Sequence, residues 1–143
     1  MDALTHTVAD IHKLQEVAAK LPQATLDTTH FFANGMYCRV LFRKADTLII
    51  GKVHRHEHFY IVACGEVTVL SDGRKERISG PCVIVSKPGT KRAVYSHTDA
   101  TCLTVHRTEH TDLDKIEAEI IEDDPNAMYD AYNQLKMPLK ELL

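Results

Sequence analysis

The first part of the chain has the hydrophobic spacing of an amphipathic helix. Thr7 and Asp10 have the three-residue spacing of a helix N-cap box, and Pro22 ends the pattern. Between them the apolar residues recur every three or four positions, at Ile11, Leu14, Val17, Ala18 and Leu21. This spacing predicts an N-terminal helix whose apolar stripe lies against the outside of the region that follows.

From about residue 29 to residue 108 the pattern changes to short runs rich in β-branched and aromatic residues, separated by turn signals. Asp72 and Gly73 form the clearest two-residue hairpin signal. Strands are predicted over residues 36–42, 47–53, 59–63, 66–70, 82–86, 91–96 and 101–107. Short antiparallel strands usually close into a sandwich or barrel because closure leaves few exposed edges, so the pattern predicts a mainly β domain.

Helical spacing returns after the β region. Thr111 and Asp114 suggest a second N-cap, and an apolar stripe then predicts a helix over about residues 112–123. Asp124 and Pro125 begin another predicted helix, which Pro138 ends. We expect these helices either to cover the β region or to clasp a neighbouring subunit. The chain is then one domain, with a helical arm over 1–28, a β-barrel over 29–110 and a helical extension over 111–143.

Composition narrows the classes of function. The 143 residues carry a net charge of −3, which disfavours nucleic acid as a partner. No apolar run approaches the length of a membrane span, and the N-terminus does not resemble a signal peptide, so we expect a soluble protein that is not secreted. The four cysteines form no CxxC pair and are expected to be reduced core residues.

The residues that point to chemistry lie between Gly51 and Glu66, a segment that contains three of the nine histidines. If this segment is extended, alternate side chains share one face of a strand. That face would carry Lys52, His54, His56, His58 and Tyr60. Imidazoles at this spacing can converge on a metal ion or on an anion.

The segment resembles the first sequence motif of the cupin superfamily. That motif has two histidines one residue apart, then a glutamate, and then a glycine after six more residues. His58 and Gly65 reproduce the last spacing, with histidine in place of glutamate, and this register puts His54 and Lys52 at the two histidine positions. A second register pairs His54 with His56 instead, but it leaves only one residue before His58.

A second stretch, Lys87 to Arg92, resembles the second cupin motif, with Arg92 at the position of the last metal ligand. The resemblance implies a single cupin-type antiparallel β-barrel, or jelly roll, with an N-terminal helix and C-terminal helices. It also implies a homo-oligomer, a dimer or larger. It implies no particular reaction, so catalysis is not assigned.

Two kinds of ligand follow from the resemblance. In the first, His54, His58 and His106 bind one divalent metal ion, with zinc, iron, manganese and nickel as the candidates. In the second, no metal is present and Lys52, Arg92 and Tyr60 bind a small anionic ligand, because arginine and lysine suit a carboxylate or a phosphate. Both alternatives stay open from the sequence.

Most of the chain also resembles a group of cupin-like proteins from bacteriophages. The likeness runs through residues 30–35, 51–54, 57–58, 80–82, 87–92, His106 and 111–113. It suggests the host cytoplasm or the virion as the location. An alternative function is therefore a non-enzymatic structural protein of the virion or tail, in which the barrel is a packing module that contacts other phage proteins.

Overall fold

The structure, a computed structural model, describes residues 8–23, 25–71, 73–124 and 129–133. Over these residues the chain forms two helices and nine strands. In chain order these are α1 (Val8–Ala18), β1 (Asp27–Ala33), β2 (Met36–Arg43), β3 (Thr47–Ile50), β4 (His58–Cys64), β5 (Glu66–Ser71), β6 (Arg74–Ser79), β7 (Cys82–Ser86), β8 (Ala93–Ser96), β9 (Ala100–Arg107) and α2 (Leu113–Ile120).

The strands form two antiparallel sheets. One sheet has the order β1-β2-β9-β4-β7 and the other has the order β3-β8-β5-β6. From β2 to β9 the chain passes back and forth between the sheets, and this is the topology of a jelly roll. The predicted mainly β, antiparallel fold is confirmed, although the described strands form two separate sheets that do not close into one continuous barrel.

The main hydrophobic core lies between the two sheets. Val62 of the first sheet and Val67 of the second are both fully buried. They pack in one cluster with Tyr60, Val69, Val94, Ala100 and Cys102. Burying a valine side chain stabilises a fold by roughly 2 kcal/mol, so this cluster holds the sheets together.

Helix α2 packs over a second, smaller cluster. Its residues Ile116 and Ile120 are buried with Ile121 and with Tyr37 of β2. The N-cap is Asp112, whose carboxylate accepts from the backbone N–H groups of Asp114 and Lys115. The sequence pattern predicts Thr111 as the N-cap, one residue before the observed cap. It also predicts a helix over about residues 112–123, which is longer at both ends than α2.

Helix α1 uses a different face from the predicted apolar stripe. Ile11 is buried as expected, but Val17 is 58% exposed and Gln15 only 6% exposed. The reason is the buried Lys91, whose Nζ donates to Gln15 Oε1 at 2.8 Å and lies 3.6 Å from Asp124 Oδ2. The helix turns its polar Gln15 inward because the lysine charge needs a hydrogen-bond acceptor.

Two strands and one helix differ from the sequence-based expectation. Strands β1 and β6 were not predicted, and the charged residues of β6 lack the apolar alternation of a half-buried strand. The second predicted C-terminal helix is not seen at residues 129–133, which are not helical. Its remaining residues, 125–128 and 134–138, lie outside the described residues.

All four cysteines are free thiols. Cys102 lies in the core as expected, but Cys64 is exposed, so the expectation of a core role is wrong for that residue.

Neither helix in the described part of the chain is long and apolar enough to cross a membrane.

Candidate ligand-binding site

A cavity of about 110 Å³ lies between the two sheets. Both sheets line it, together with Gln15 of α1 and residues that follow α2. Its charged and hydrogen-bonding lining includes Arg39, Arg43, Arg92, Lys52, His54 and Tyr60, and its apolar lining includes Leu41, Ile49, Val94 and Cys102. None of the described residues that line the cavity is an aspartate or a glutamate.

The segment from Gly51 to Glu66, which contains three histidines, is not a continuous strand. Only the part from His58 onward is a strand, and there His58 and Tyr60 point inward while Phe59 is exposed. His54 precedes the strand and is held by its backbone, which donates to Thr90 O at 3.0 Å. The prediction of one extended face from residue 52 to residue 60 is therefore wrong, and His56 is exposed at a bend.

The structure brings the three predicted histidines together. The ring centroids of His54 and His58 are 4.2 Å apart, those of His58 and His106 4.7 Å, and those of His54 and His106 5.5 Å. Burial lowers the pKa of His58 to about 4 and that of His106 to about 2, and it holds the pKa of His54 well below 6.5. All three imidazoles are consequently neutral at pH 7.

Arg92 contacts this cluster and helps to determine which ring nitrogen of His58 carries the proton. One guanidinium nitrogen donates to Ser86 Oγ at 2.6 Å, and the other is 3.0 Å from His58 Nε2. The other ring nitrogen of His58, Nδ1, is 3.0 Å from the carbonyl oxygen of His56. Because the carbonyl only accepts, Nδ1 carries the proton and Nε2 accepts from Arg92. The same guanidinium lies 4.2 Å over the ring of Tyr60.

These contacts do not suit a divalent metal ion. The lone pair of His58 that would bind a metal accepts a hydrogen bond from a cation, and His106 Nε2 is 2.9 Å from Thr104 Oγ1. A second cation at this place would be repelled by Arg92. Across the described residues, no group of three or more histidines, cysteines or carboxylates is arranged to hold a metal ion. The metal at His54, His58 and His106 stays a prediction.

Lys52 lines the cavity but is already paired. Its Nζ donates to a carboxylate oxygen of Glu117 on α2, and both side chains are largely buried. The pair fastens α2 to the segment before His54. Lys52 therefore contributes less positive charge to the cavity than the sequence suggested.

Arg39 and Arg43 were missed by the sequence analysis. Alternation along β2 turns Tyr37, Arg39, Leu41 and Arg43 toward the interior, whereas Phe42 is exposed. Arg39 Nε donates to the Tyr37 hydroxyl at 2.9 Å. The sequence signal was two arginines four residues apart, with Arg39 on the predicted strand 36–42 and Arg43 one residue past its end. Because β2 continues to Arg43, both arginines lie on the same face.

Arg43 is the least compensated charge in this interior. It is only 7% exposed, and its Nε and one terminal nitrogen are buried without a hydrogen-bond partner among the described residues. Nδ1 of His54 is likewise buried without a hydrogen-bond partner among the described residues. The Tyr60 hydroxyl has no nitrogen or oxygen partner within the part of the chain that the structure describes, and it lies beside the Cys102 thiol. Burial raises the pKa of Tyr60 to about 12, so its phenol keeps its proton.

The sequence matches no family model and has no significant match among curated proteins. The fold, in contrast, matches solved structures closely enough to identify it. A cupin superfamily protein from Desulfitobacterium hafniense aligns at a TM-score of 0.52 and 12% identity, over 62% of this chain and 85% of that one. The chain has a cupin-type fold.

Two further structures agree with the cupin-type fold. An RmlC-like cupin from Shewanella frigidimarina aligns at a TM-score of 0.51 and 15% identity, over 58% of this chain and 76% of that one. Salicylate 1,2-dioxygenase from Pseudoaminobacter salicylatoxidans, in a structure with gentisate, aligns at 0.52 and 10% identity, over 68% of this chain and 29% of that one. At these identities the likeness establishes the fold alone, since cupin folds carry many functions.

Proposed function

We propose that this cupin-type protein binds a small anionic ligand in the cavity between its sheets. The observation that carries the proposal is Arg43, a buried guanidinium that has no carboxylate partner in the described structure and lines a small cavity. A buried charge without compensation is costly, and a bound anion would supply that compensation.

The rest of the lining supports the same ligand class. Arg39 and Arg92 add two more guanidinium groups, which are suited to carboxylate and phosphate oxygens. His54, which also lines the cavity, is neutral, so it adds a hydrogen-bonding group rather than charge. A cavity of about 110 Å³ accommodates only a small ligand, in the size range of acetate, malonate or phosphate.

Binding of anions to an Arg43→Met variant tests the proposal. We expect titration calorimetry at constant ionic strength to detect binding of at least one of acetate, malonate and phosphate to the wild type. Loss of a charge-assisted hydrogen bond should weaken that binding by about 10- to 100-fold in Arg43→Met. Arg74→Met is the matched control, because the Arg74 side chain is 76% exposed on β6.

The same variant should fold more stably without ligand. Replacing a buried, unpaired guanidinium with an apolar side chain of similar length is expected to raise the free energy of unfolding by about 1–3 kcal/mol. A merely structural role of Arg43 would give the reverse result, namely lower stability with unchanged anion binding. Absence of binding of any of the three anions to the wild type would also contradict the proposal.

The metal alternative has its own measurement. Plasma mass spectrometry of untagged protein, for the wild type and for a variant with His54→Ala and His58→Ala, reports the bound metal. Near-stoichiometric metal that is lost in the variant would replace the anion proposal with a metal site. No uptake after loading with iron, manganese, nickel and zinc would favour the anion.

The structural alternative, a packing module in a bacteriophage virion or tail, makes a different prediction. Under that hypothesis the Arg43→Met variant assembles like the wild type, whereas removal of the terminal segments abolishes assembly. The observation that favours an assembly role is the outer face of the sheet β1-β2-β9-β4-β7, where Phe31, Phe59 and Val85 are exposed in one row.

A further inference from the structure

Two of the arginines that line the cavity lie on the same face of one strand. The pairing of β2 with β9 and of β9 with β4 arranges the inner face of the five-stranded sheet in rows that run across the strands. Arg39 lies in one row with Thr104 and Tyr60, and Arg43 lies opposite Ala100, two rows further along. The two arginines are therefore the two ends of one stretch of the cavity wall.

The wall between the two arginines is apolar. Leu41, midway between them on β2, pairs with Cys102 of β9. The opposite wall includes Ile49 and Val94, which pair with each other across β3 and β8. These side chains offer no charge and no strong hydrogen bond. The middle of the cavity therefore suits hydrocarbon, whereas its two ends suit anionic oxygens.

Both arginines retain nitrogens that can donate to a ligand. Nε and one terminal nitrogen of Arg43 have no hydrogen-bond partner among the described residues. Arg39 donates from Nε to the Tyr37 hydroxyl at 2.9 Å, and no described residue accepts a hydrogen bond from its terminal nitrogens. Both terminal nitrogens of Arg92, in contrast, already make hydrogen bonds within the fold. Arg39 and Arg43 are consequently the pair that a ligand can use.

The separation of the two arginines sets the length of the ligand. Residues four apart on a strand are about 13 Å apart between their Cα atoms, and side chains on a strand stand roughly perpendicular to it. A carboxylate that accepts two hydrogen bonds from a guanidinium group lies about 4 Å from the central carbon of that group. A malonate or succinate ion held in this way at both ends needs guanidinium carbons roughly 11–12 Å apart. A diacid of three or four carbons therefore fits between Arg39 and Arg43.

We propose that the ligand is a short dicarboxylate, in the class of malonate and succinate, with one carboxylate at Arg39 and the other at Arg43. This inference rests on the anion-binding function proposed above and names the ligand class of that site. Two carboxylates neutralise both guanidinium groups, and the methylene groups between them meet the apolar wall. Phosphate has its oxygens around one atom, so it would pair with one arginine and leave the other uncompensated.

Titration calorimetry at pH 7 and constant ionic strength compares diacids with monoacids of the same length. We expect the wild type to bind malonate or succinate about 10- to 100-fold more tightly than propanoate, butanoate or phosphate. The affinity should fall again for glutarate and adipate, because a cavity of about 110 Å³ is too small for them. This series uses the wild type alone, so its result does not depend on the folding of a variant.

An Arg39→Met variant shows whether both arginines are used. Loss of the second contact should weaken succinate binding by about 10- to 100-fold and leave acetate binding at Arg43 nearly unchanged. Arg43→Met should weaken the binding of both ions. Arg74→Met is the matched control, since the Arg74 side chain is 76% exposed on β6. Far-UV circular dichroism establishes that each variant is folded, and Arg39→Gln serves if Arg39→Met is not.

The outcomes separate this inference from the proposed function. If acetate or phosphate binds at least as tightly as malonate and succinate, the dicarboxylate is overturned while the anion site stands. A folded Arg39→Met variant that weakens acetate and succinate equally, or weakens neither, overturns the dicarboxylate as well. Failure of the wild type to bind any of these anions overturns both proposals.

Discussion

At the scale of single residues, burial rather than residue type decides the chemistry of the histidine cluster. His58 would be an ordinary metal ligand if its Nε2 were open, but Arg92 donates to that atom at 3.0 Å. From the sequence, both residues were expected in the pocket, and a metal ion and an anion were alternative ligands. Their hydrogen bond favours the anion because it occupies the lone pair and adds positive charge.

Acidification is expected to destabilise the fold through His58. Its pKa is 6.5 in the unfolded chain and is lowered to about 4 in the fold, where burial and Arg92 oppose its charging. The unfolded chain therefore binds the proton more tightly. The contribution of His58 to stability is complete above pH 6.5 and declines as the pH falls toward 4, by about 2 kcal/mol at pH 5.

Urea unfolding at pH 7 and pH 5 measures this loss. His58→Gln keeps an amide that can accept from Arg92 but cannot titrate, so its stability should fall less between the two pH values. His54 and His106, whose pKa values are also lowered by burial, act in the same direction in both proteins. Equal losses in the wild type and in His58→Gln would contradict the assignment.

At the scale of secondary structure elements, the edge strands β1 and β6 are less evident in the sequence than the core strands. The strands around Tyr60 and Val94 were predicted because they contain apolar runs. Strand β6 has four exposed charged residues because it is the edge of its sheet, where one side chain in six is half-buried. Hydrophobic spacing cannot reveal such a strand, because its position is set by pairing with β5.

Gly65, the motif glycine between β4 and β5, is expected to tolerate no side chain. Its φ is +91°, and a Cβ there would lie 2.4 Å from Asp99 O. Gly89 has a similar φ of +86°, but a Cβ there would meet nothing within 4 Å. Gly65→Ala should therefore lower the free energy of unfolding by about 2–4 kcal/mol and Gly89→Ala by about 1 kcal/mol. Thermal unfolding of both variants checks the difference, and equal losses would show that backbone conformation alone explains the motif glycine.

At the scale of the whole molecule, the two sheets together form the proposed site. Their facing surfaces line the cavity to which Arg43 contributes its guanidinium group. Helix α2 supports the site from outside the sheets, through its buried isoleucines and through the pair between Lys52 and Glu117.

The sequence by itself determined the jelly-roll class, most core strands, α1, α2 and the grouping of His54, His58 and Arg92. Hydrophobic periodicity and motif spacing are local properties, so they can be read along one stretch of chain. Only the tertiary structure decided that Lys52 pairs with Glu117, that Gln15 turns inward to Lys91, and that Arg43 is buried without an acidic partner among the described residues. Each of these depends on contacts between residues that are far apart in the chain. The spacing of residues along the chain does not show which distant residues come into contact in the fold.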